Sequence, residues 1–395
     1  MLKQEAQSIE QYIIAWRRDL HRIPEIGLHL PKTREYICGV LDKLGINYKI
    51  HSGTSGIEVL ICGRTSGKTI ALRSDMDALP IRELTGLPFA SENGNMHACG
   101  HDAHIAMLLG AVKLLAAHPE QIIGNVKCIF QPGEEGFQGA RYMLEEGALE
   151  NPYVDAVLGL HVTNTISELK PGAIGLKKGA LMAGSDAFCI KIIGKGGHIS
   201  DTKHVVNPIP AAARIVLAIQ EIGDRCGKME DKAIIATGQI CGGEKGNAIP
   251  DTVELKGSLR TLNEETRQQL LHEMKQTVKK TAAQERCICE ISFADSNGVI
   301  YNDGTVTESV MKTASQLFPQ EKYTEIVSDI MASEDIFYFF NARKGTYIHL
   351  GCGFEDSREI FPLHSSRFTL NEQIMWRGSA LLAQSAIDWL GKEHL

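Results

Sequence analysis

The 395-residue sequence has no excess of basic residues, no long apolar run, no internal repeat and no low-complexity tract. Lysine and arginine number 41 against 48 acidic residues, giving a net charge of -7. No basic stripe is therefore present to displace the counterions of a nucleic acid. A bilayer-spanning helix needs about 20 consecutive apolar residues, and no run approaches that. The first eight residues contain no apolar segment of the secretory kind. These absences predict a cytoplasmic protein that binds neither nucleic acid nor membrane.

Cysteine, by contrast, is plentiful, with ten in the chain. Without a secretory signal they are expected to be reduced thiols. Most, such as Cys62 and Cys128, lie in apolar runs and read as small buried hydrophobes. Cys287 and Cys289 are two apart in a strand-like alternation, with no second pair nearby to complete a zinc site. Only Cys99 stands among other metal-ligating side chains.

Charged residues make up 23% and hydrophobic ones 43%, the balance of a globular protein, and the length suggests two domains. Ile9, Tyr12, Ile13, Trp16, Leu20 and Ile23 recur at helical steps, predicting one helix over 5–23 that Pro24 ends. Strand-like runs at 57–62, 69–73, 126–130 and 154–161 then alternate with helical segments, chief among them 104–117. This alternation implies an α/β fold, a mostly parallel sheet with helices on both faces. From about Gly184 the order becomes strand 186–193, helix 208–222, strands 233–241 and 252–261, helix 264–283 and strand 287–293. That β-α-β-β-α-β order is the split unit of a ferredoxin-like domain. Asn263 reads as the N-cap of its second helix, with Glu264 and Glu265 at the positive end of the dipole. Alternation resumes after Asn297 with helix 306–317, strand 346–350 and helix 373–390. The expected architecture is a discontinuous α/β catalytic domain, 1–183 and 298–395, with an α+β module inserted at 184–297.

Four polar clusters fall at or beyond the ends of strand-like runs: Ser74 to Asp77, Pro132 to Gly136, His161, and a Gly-containing loop from 351 leading to His364. In open α/β sheets the carboxyl ends of the strands form the functional edge. Cys99 and His101 flank a glycine directly before a helix, so both side chains can face one centre. Thiolate with imidazole suits zinc or another borderline transition ion, and suits calcium or magnesium poorly. Glu134 and Glu135 lie between Gly133 and Gly136 at a strand end. Adjacent side chains diverge, so one carboxylate can ligate a metal while its neighbour takes a proton from water whose pKa the metal has lowered. A cysteine hydrolase built on Cys99 would leave Glu135, His161 and His364 unexplained.

These segments, together with residues 18–25, 194–198, 333–335 and Leu363-His364, resemble the co-catalytic metallopeptidase superfamily of aminoacylases and carboxypeptidases. Within it they resemble the amidohydrolase branch of hippurate hydrolases, N-acyl-amino-acid hydrolases and auxin-conjugate hydrolases. The resemblance implies two divalent ions (zinc, manganese, nickel or cobalt) held by Cys99, His101, Glu135, His161 and His364, with Glu134 as general base. It implies hydrolysis of N-acyl amino acids or small dipeptide-like amides. Arg73-Ser74-Asp75 lies where other branches carry His-x-Asp, which implies that Cys99 replaces a missing ligand and that Asp75 supports catalysis. The inserted module resembles a lid and dimerisation domain. Its Gly196-Gly197-His198 matches a motif whose histidine reaches the partner subunit's site in a homodimer. Asn247 and Arg260 match residues that bind substrate carboxylate in related carboxypeptidases. After His198 the chain departs from its relatives, with Ile199 to Lys203 where they carry a small residue and then Pro-His.

Overall fold

The computed structural model describes residues 2–226, 233–356 and 360–391. The chain opens with helices α1 (Lys3–Ser8), α2 (Glu10–His21) and α3 (Pro31–Lys43). Strands β1 (Tyr48–Ile50), β2 (Ile57–Cys62) and β3 (Thr65–Asp75) lead to helix α4 (His101–Ala117). Then come β4 (Ile123–Gln131), α5 (Gly139–Glu145), β5 (Ala156–Thr163), β6 (Ile174–Leu176) and β7 (Gly179–Met182). The next elements are β8 (Gly184–Ile193), β9 (Gly197–His198), α6 (Pro208–Cys226), β10 (Ala233–Cys241), β11 (Ala248–Ile249) and β12 (Thr252–Thr261). Helix α7 (Glu264–Gln284), β13 (Ile288–Asn297), β14 (Ile300–Asn302), α8 (Gly304–Leu317) and β15 (Thr324–Glu325) follow. Helix α9 (Phe337–Ala342), β16 (Lys344–Gly351) and α10 (Met375–Gly391) complete the described chain.

Two compact units result, one of 1–179, 301–328 and 335–395, the other of 180–300 with 329–334. The first is built on a sheet of order β1-β2-β4-β3-β5-β16-β6-β15. Its centre, β4-β3-β5-β16, is parallel, and antiparallel pairs flank it at β1–β2, β2–β4 and β16–β6. Strand side chains alternate between faces. Ile70, Leu72, Val126, Cys128, Phe130, Leu158, Leu160, Ile348 and Leu350 join α4, α8 and α10 in one apolar core. The intervening positions, Arg73, Asp75, Gln131, His161 and His349, carry polar groups on the other face, and all are buried. Helix α4 is buried almost all round, as a helix apolar on every side must be.

The second unit is a four-stranded antiparallel sheet of order β10-β12-β8-β13. Buried Ala211, Ile215, Ile219 and Ile222 of α6, and Leu270, Met274, Val278 and Ala282 of α7, pack on it at helical spacing. Asn263 caps α7 by accepting from the Thr266 amide at 3.0 Å. The order β8-α6-β10-β12-α7-β13 is the ferredoxin-like arrangement expected from the sequence.

Three local differences from the sequence reading have physical causes. The N-terminal helix is two helices, because Ile9 leaves helical backbone values at φ -100°, ψ 7° and serves as C-cap of α1, its amide still donating to the Glu5 carbonyl at 3.2 Å, and as N-cap of α2. Helix α4 begins at His101, not His104, because Gly100 adopts φ 84° and its carbonyl accepts from the Ala103 and His104 amides. Strand β5 runs past His161 to Thr163, because β16 stays in register with it as far as Gly351. Among the described residues, no helix is long and apolar enough to cross a membrane.

Candidate metal centre

The Cys99–His101 turn depends on Gly100. A Cβ there would lie 2.5 Å from Val162 Cγ2, and the left-handed backbone already disfavours any other residue. The tight turn sets Cys99 just before α4 and His101 in its first turn. The Cys99 sulfur lies 3.5 Å from His161 Nε2 and 3.3 Å from His364 Nε2. One ligand atom from each of Cys99, His101 and His161 lies within 4.8 Å of the other two. The same holds for Cys99, Glu135 and His364, and for His101, Glu134 and Glu135.

Backbone carbonyls decide which imidazole nitrogens are bare. His101 Nδ1 donates to the Asp77 carbonyl at 2.9 Å, and His161 Nδ1 donates to the Val162 carbonyl at 2.5 Å. With its Nδ1 proton committed in this way, each ring has only Nε2 to offer the cluster, the usual preparation of a histidine ligand. His101 Nε2 is buried and has no hydrogen-bond partner among the described residues. His104 is arranged the other way. Its Nε2 accepts from the Val162 amide at 2.9 Å, while its Nδ1 donates to Asp75 Oδ1 at 2.6 Å. His104 thus has no lone pair to offer, although it lies within ligand distance of His101 and Asp75.

The two glutamates are held from behind. Asp77 accepts from the Glu134 amide through one carboxylate oxygen and from the Glu135 amide through the other, each at 3.0 Å. Gly133, at φ 71°, provides the bend before them. From this shared anchor the side chains diverge. Glu135 Oε1 lies 3.2 Å from His364 Nε2, and Glu134 Oε2 lies 4.0 Å from His101 Nε2. His364 is placed by its own amide, which donates to the Ala98 carbonyl at 2.8 Å. Part of the loop before it, 357–359, lies outside the described residues.

Electrostatics follow the same pattern. Burial pushes the Cys99 thiol up. His364 is raised to about 10 by hydrogen bonding with Cys99 and then Glu135. Burial alone would raise Glu135, but the hydrogen bond from His364 and the charge of His101 bring it down. His161 is held well below the usual imidazole range by burial and by His104. A thiol and a carboxylate sharing one protonated imidazole form a donor set that calls for positive charge. Soft sulfur, bare ring nitrogens and a carboxylate fit a borderline divalent ion.

Sequence reasoning passed over two features behind the cluster. Asp77 was the first, although its place in Ser74-Asp75-Met76-Asp77 at a strand end was a usable signal. The second is the hub made by Arg73, which donates to Gln131 at 2.7 Å, to Asp75 at 2.9 Å and to Asp335 at 3.0 Å. Asp75 therefore pairs with Arg73 and His104, and its Oδ1 is 3.9 Å from His101 Nδ1. The other three residues singled out from the sequence lie in the second unit. His198 and Asn247 come together there: β9 pairs with β11, His198 opposite Ala248, and the Ile199 amide donates to the Asn247 carbonyl at 3.2 Å. Arg260, on β12, donates from Nη1 to the Met331 carbonyl at 2.8 Å.

The fold and the ligand cluster suit a metal-dependent hydrolase, and the family match and relatives make it one that cleaves amides. Its family follows from the sequence: residues 71–388 match the model of Peptidase family M20/M25/M40, and the chain belongs to that family. It is 37% identical over 364 residues to N-acetyldiaminopimelate deacetylase of Listeria innocua, covering 91% of this chain and 94% of the relative. It is 33% identical over 384 residues to IAA-amino acid hydrolase ILR1-like 4 of Arabidopsis thaliana, covering 96% of this chain and 86% of that one. The structure of the Bacillus subtilis YXEP protein, a dinuclear metal binding peptidase from the M20 family, matches with a TM-score of 0.82 at 32% identity. That match covers 97% of this chain and 99% of the other. The motifs read from the sequence thus pointed to the correct family.

Proposed function

We propose that the protein hydrolyses the amide bond of N-acyl amino acids, releasing a carboxylic acid and a free amino acid. Two divalent ions, drawn from zinc, manganese, nickel and cobalt, would be held by Cys99, His101, Glu135, His161 and His364. When bound, such ions polarise a carbonyl and acidify water. Glu134 takes a proton from the attacking water as its oxygen bonds to the acyl carbon. It then delivers that proton to the amide nitrogen as the C–N bond breaks. The observation that carries this reading is the shared Asp77 anchor, from which Glu135 reaches Cys99 and His364 while the Glu134 carboxylate reaches the edge of the same cluster, 4.0 Å from His101 Nε2. The names of two relatives, a deacetylase of an N-acetylated amino acid and a hydrolase of an acyl-type amino acid conjugate, support the substrate class. Dipeptide-like amides present the same bond and form the second group to test.

His198, Asn247 and Arg260 would bind substrate, Asn247 and Arg260 through its carboxylate. In a homodimer His198 would serve the partner's site by holding the scissile carbonyl oxygen. The ten unbridged cysteines suit a reducing cytoplasm. The direct test is a panel of N-acetyl, N-benzoyl and longer N-acyl amino acids with dipeptides, assayed by amine release with each metal. Release from at least one N-acyl amino acid is expected. No amine release from any N-acyl amino acid by metal-loaded protein would remove the proposal.

Asp77→Asn offers a second check. Asparagine turns one of the two acceptor oxygens into an NH2 that faces a backbone N–H. The Glu134-Glu135 turn should loosen while the rest of the fold stays intact. Metal affinity or activity should fall roughly 10–100-fold, the usual effect of losing a group that orients a ligand. Metal titration reads the affinity, amine release reads the rate, and thermal unfolding checks that the fold is kept. Unchanged affinity and rate would mean the anchor is dispensable.

A further inference from the structure

We infer that Ser200 is a positioning residue that fixes the tautomer of His198, so that the ring carries its proton on Nε2. This rests on the reading of His198 as the group that holds the scissile carbonyl oxygen. The argument begins with the backbone. His198 ends β9 and is paired with β11, and its carbonyl accepts from the Asp201 amide at 2.9 Å. The turn that follows is closed at its base, where Lys195 and Val206 exchange backbone hydrogen bonds of 2.8 and 2.9 Å. Within the turn, His204 Nδ1 lies 2.8 Å from Asp201 Oδ1. Ser200 is therefore held beside the ring by its surroundings.

Two groups of Ser200 meet the same nitrogen. Its hydroxyl oxygen lies 2.8 Å from His198 Nδ1, and its backbone N–H donates to Nδ1 at 3.3 Å. A hydroxyl beside an imidazole nitrogen could act either way, but a backbone N–H can only donate. Nδ1 must therefore present a lone pair, and the hydroxyl must donate to it as well. A neutral imidazole has one N–H, so the proton sits on Nε2. His198 is exposed, and its side-chain hydrogen bonds among the described residues all fall on Nδ1. Nε2–H is thus turned outward as a donor.

This is the form that the proposed role requires. As the acyl carbon becomes tetrahedral, negative charge gathers on its oxygen, and a fixed N–H stabilises that charge. The opposite tautomer would set a nitrogen lone pair against oxygen lone pairs. Ser200→Ala leaves only the longer amide contact on Nδ1 and lets the Nδ1–H tautomer compete.

The test uses full-length, zinc-loaded enzyme labelled with 15N-histidine, with His198 assigned by difference against His198→Gln. Wild type should show a protonated Nε2 and a bare Nδ1, and Ser200→Ala should shift signal toward the Nδ1–H form. With it, kcat should fall about tenfold with little change in KM, less than the roughly 10²–10³-fold cost of losing such a donor outright. Ser200→Thr, which keeps the hydroxyl, should restore both. A wild-type His198 protonated on Nδ1 would overturn the inference. So would a Ser200→Ala enzyme with wild-type kcat when His198→Ala is impaired. Full turnover by His198→Ala would instead show that the underlying reading of His198 has failed, and the catalytic part of this inference with it.

Discussion

Replacing Glu134 by glutamine is expected to lower turnover roughly 10²–10⁴-fold, the usual worth of a general acid–base group. In barrier terms that is about 3–5 kcal/mol. The substitution is nearly isosteric, and the Glu134 backbone amide keeps its bond to Asp77, so fold and metal content should persist. Glu135→Gln should act differently. Its oxygen lies 3.2 Å from His364 Nε2 and belongs to the triad with Cys99, so metal occupancy should drop first. Elemental analysis beside kcat separates the two, and swapped phenotypes would reverse the assignment. The Glu134→Gln protein also tests the proposed sharing of the site across a homodimer. Mixed under exchange conditions with inactive His198→Ala protein, it should form heterodimers with one intact site and recover part of the activity. No recovery despite demonstrated exchange would confine His198 to its own subunit, or to no role at all.

Much of the centre was legible because its chemistry is local in sequence. Cys99-Gly100-His101 and Gly133-Glu134-Glu135-Gly136 each pack ligand-type side chains around glycines that the backbone needs. His161 and His364 are isolated in the chain; their place at strand ends put them on the same edge, and only resemblance made them ligands. The structure supplies the missing link: β5 presents His161 on the polar face of the sheet, and the Ala98 carbonyl docks His364. Asp77 was missed for a different reason. It acts through backbone amides and a backbone carbonyl, so its strand-end position signalled a polar role without showing which groups it holds. The division of labour among the histidines was likewise hidden. His101 and His104 stand three apart on one helix and look alike as letters. Only the direction of their hydrogen bonds, to the Asp77 carbonyl and from the Val162 amide, separates an available Nε2 from a spent one. Long elements such as β10 and β12 were readable to the residue from their alternation. Short ones, α5, α9, β9 and β11 among them, are held by tertiary contacts and left no periodic signal.

Removing divalent ions with a chelator is expected to abolish amide hydrolysis, and zinc, manganese or cobalt should restore it. The reasoning rests on what the ligands do without an ion. His364 is raised to about 10 by its hydrogen bonds with Cys99 and Glu135, and burial pushes the Cys99 thiol up. At neutral pH both groups therefore keep their protons in the metal-free site. A metal accepts only the deprotonated forms, so loading must expel those protons. The sign is fixed by this competition. Affinity should rise as pH rises, and the gain from His364 should level off once pH passes about 10. Calorimetry at pH 7 in buffers of different ionisation enthalpy counts the protons released, and more than one per subunit is expected when both ions bind. Uptake without proton release would mean that Cys99 and His364 are not ligands. Full activity in protein shown by elemental analysis to be metal-free would remove the mechanism itself, since Glu134 alone cannot make water nucleophilic enough at neutral pH.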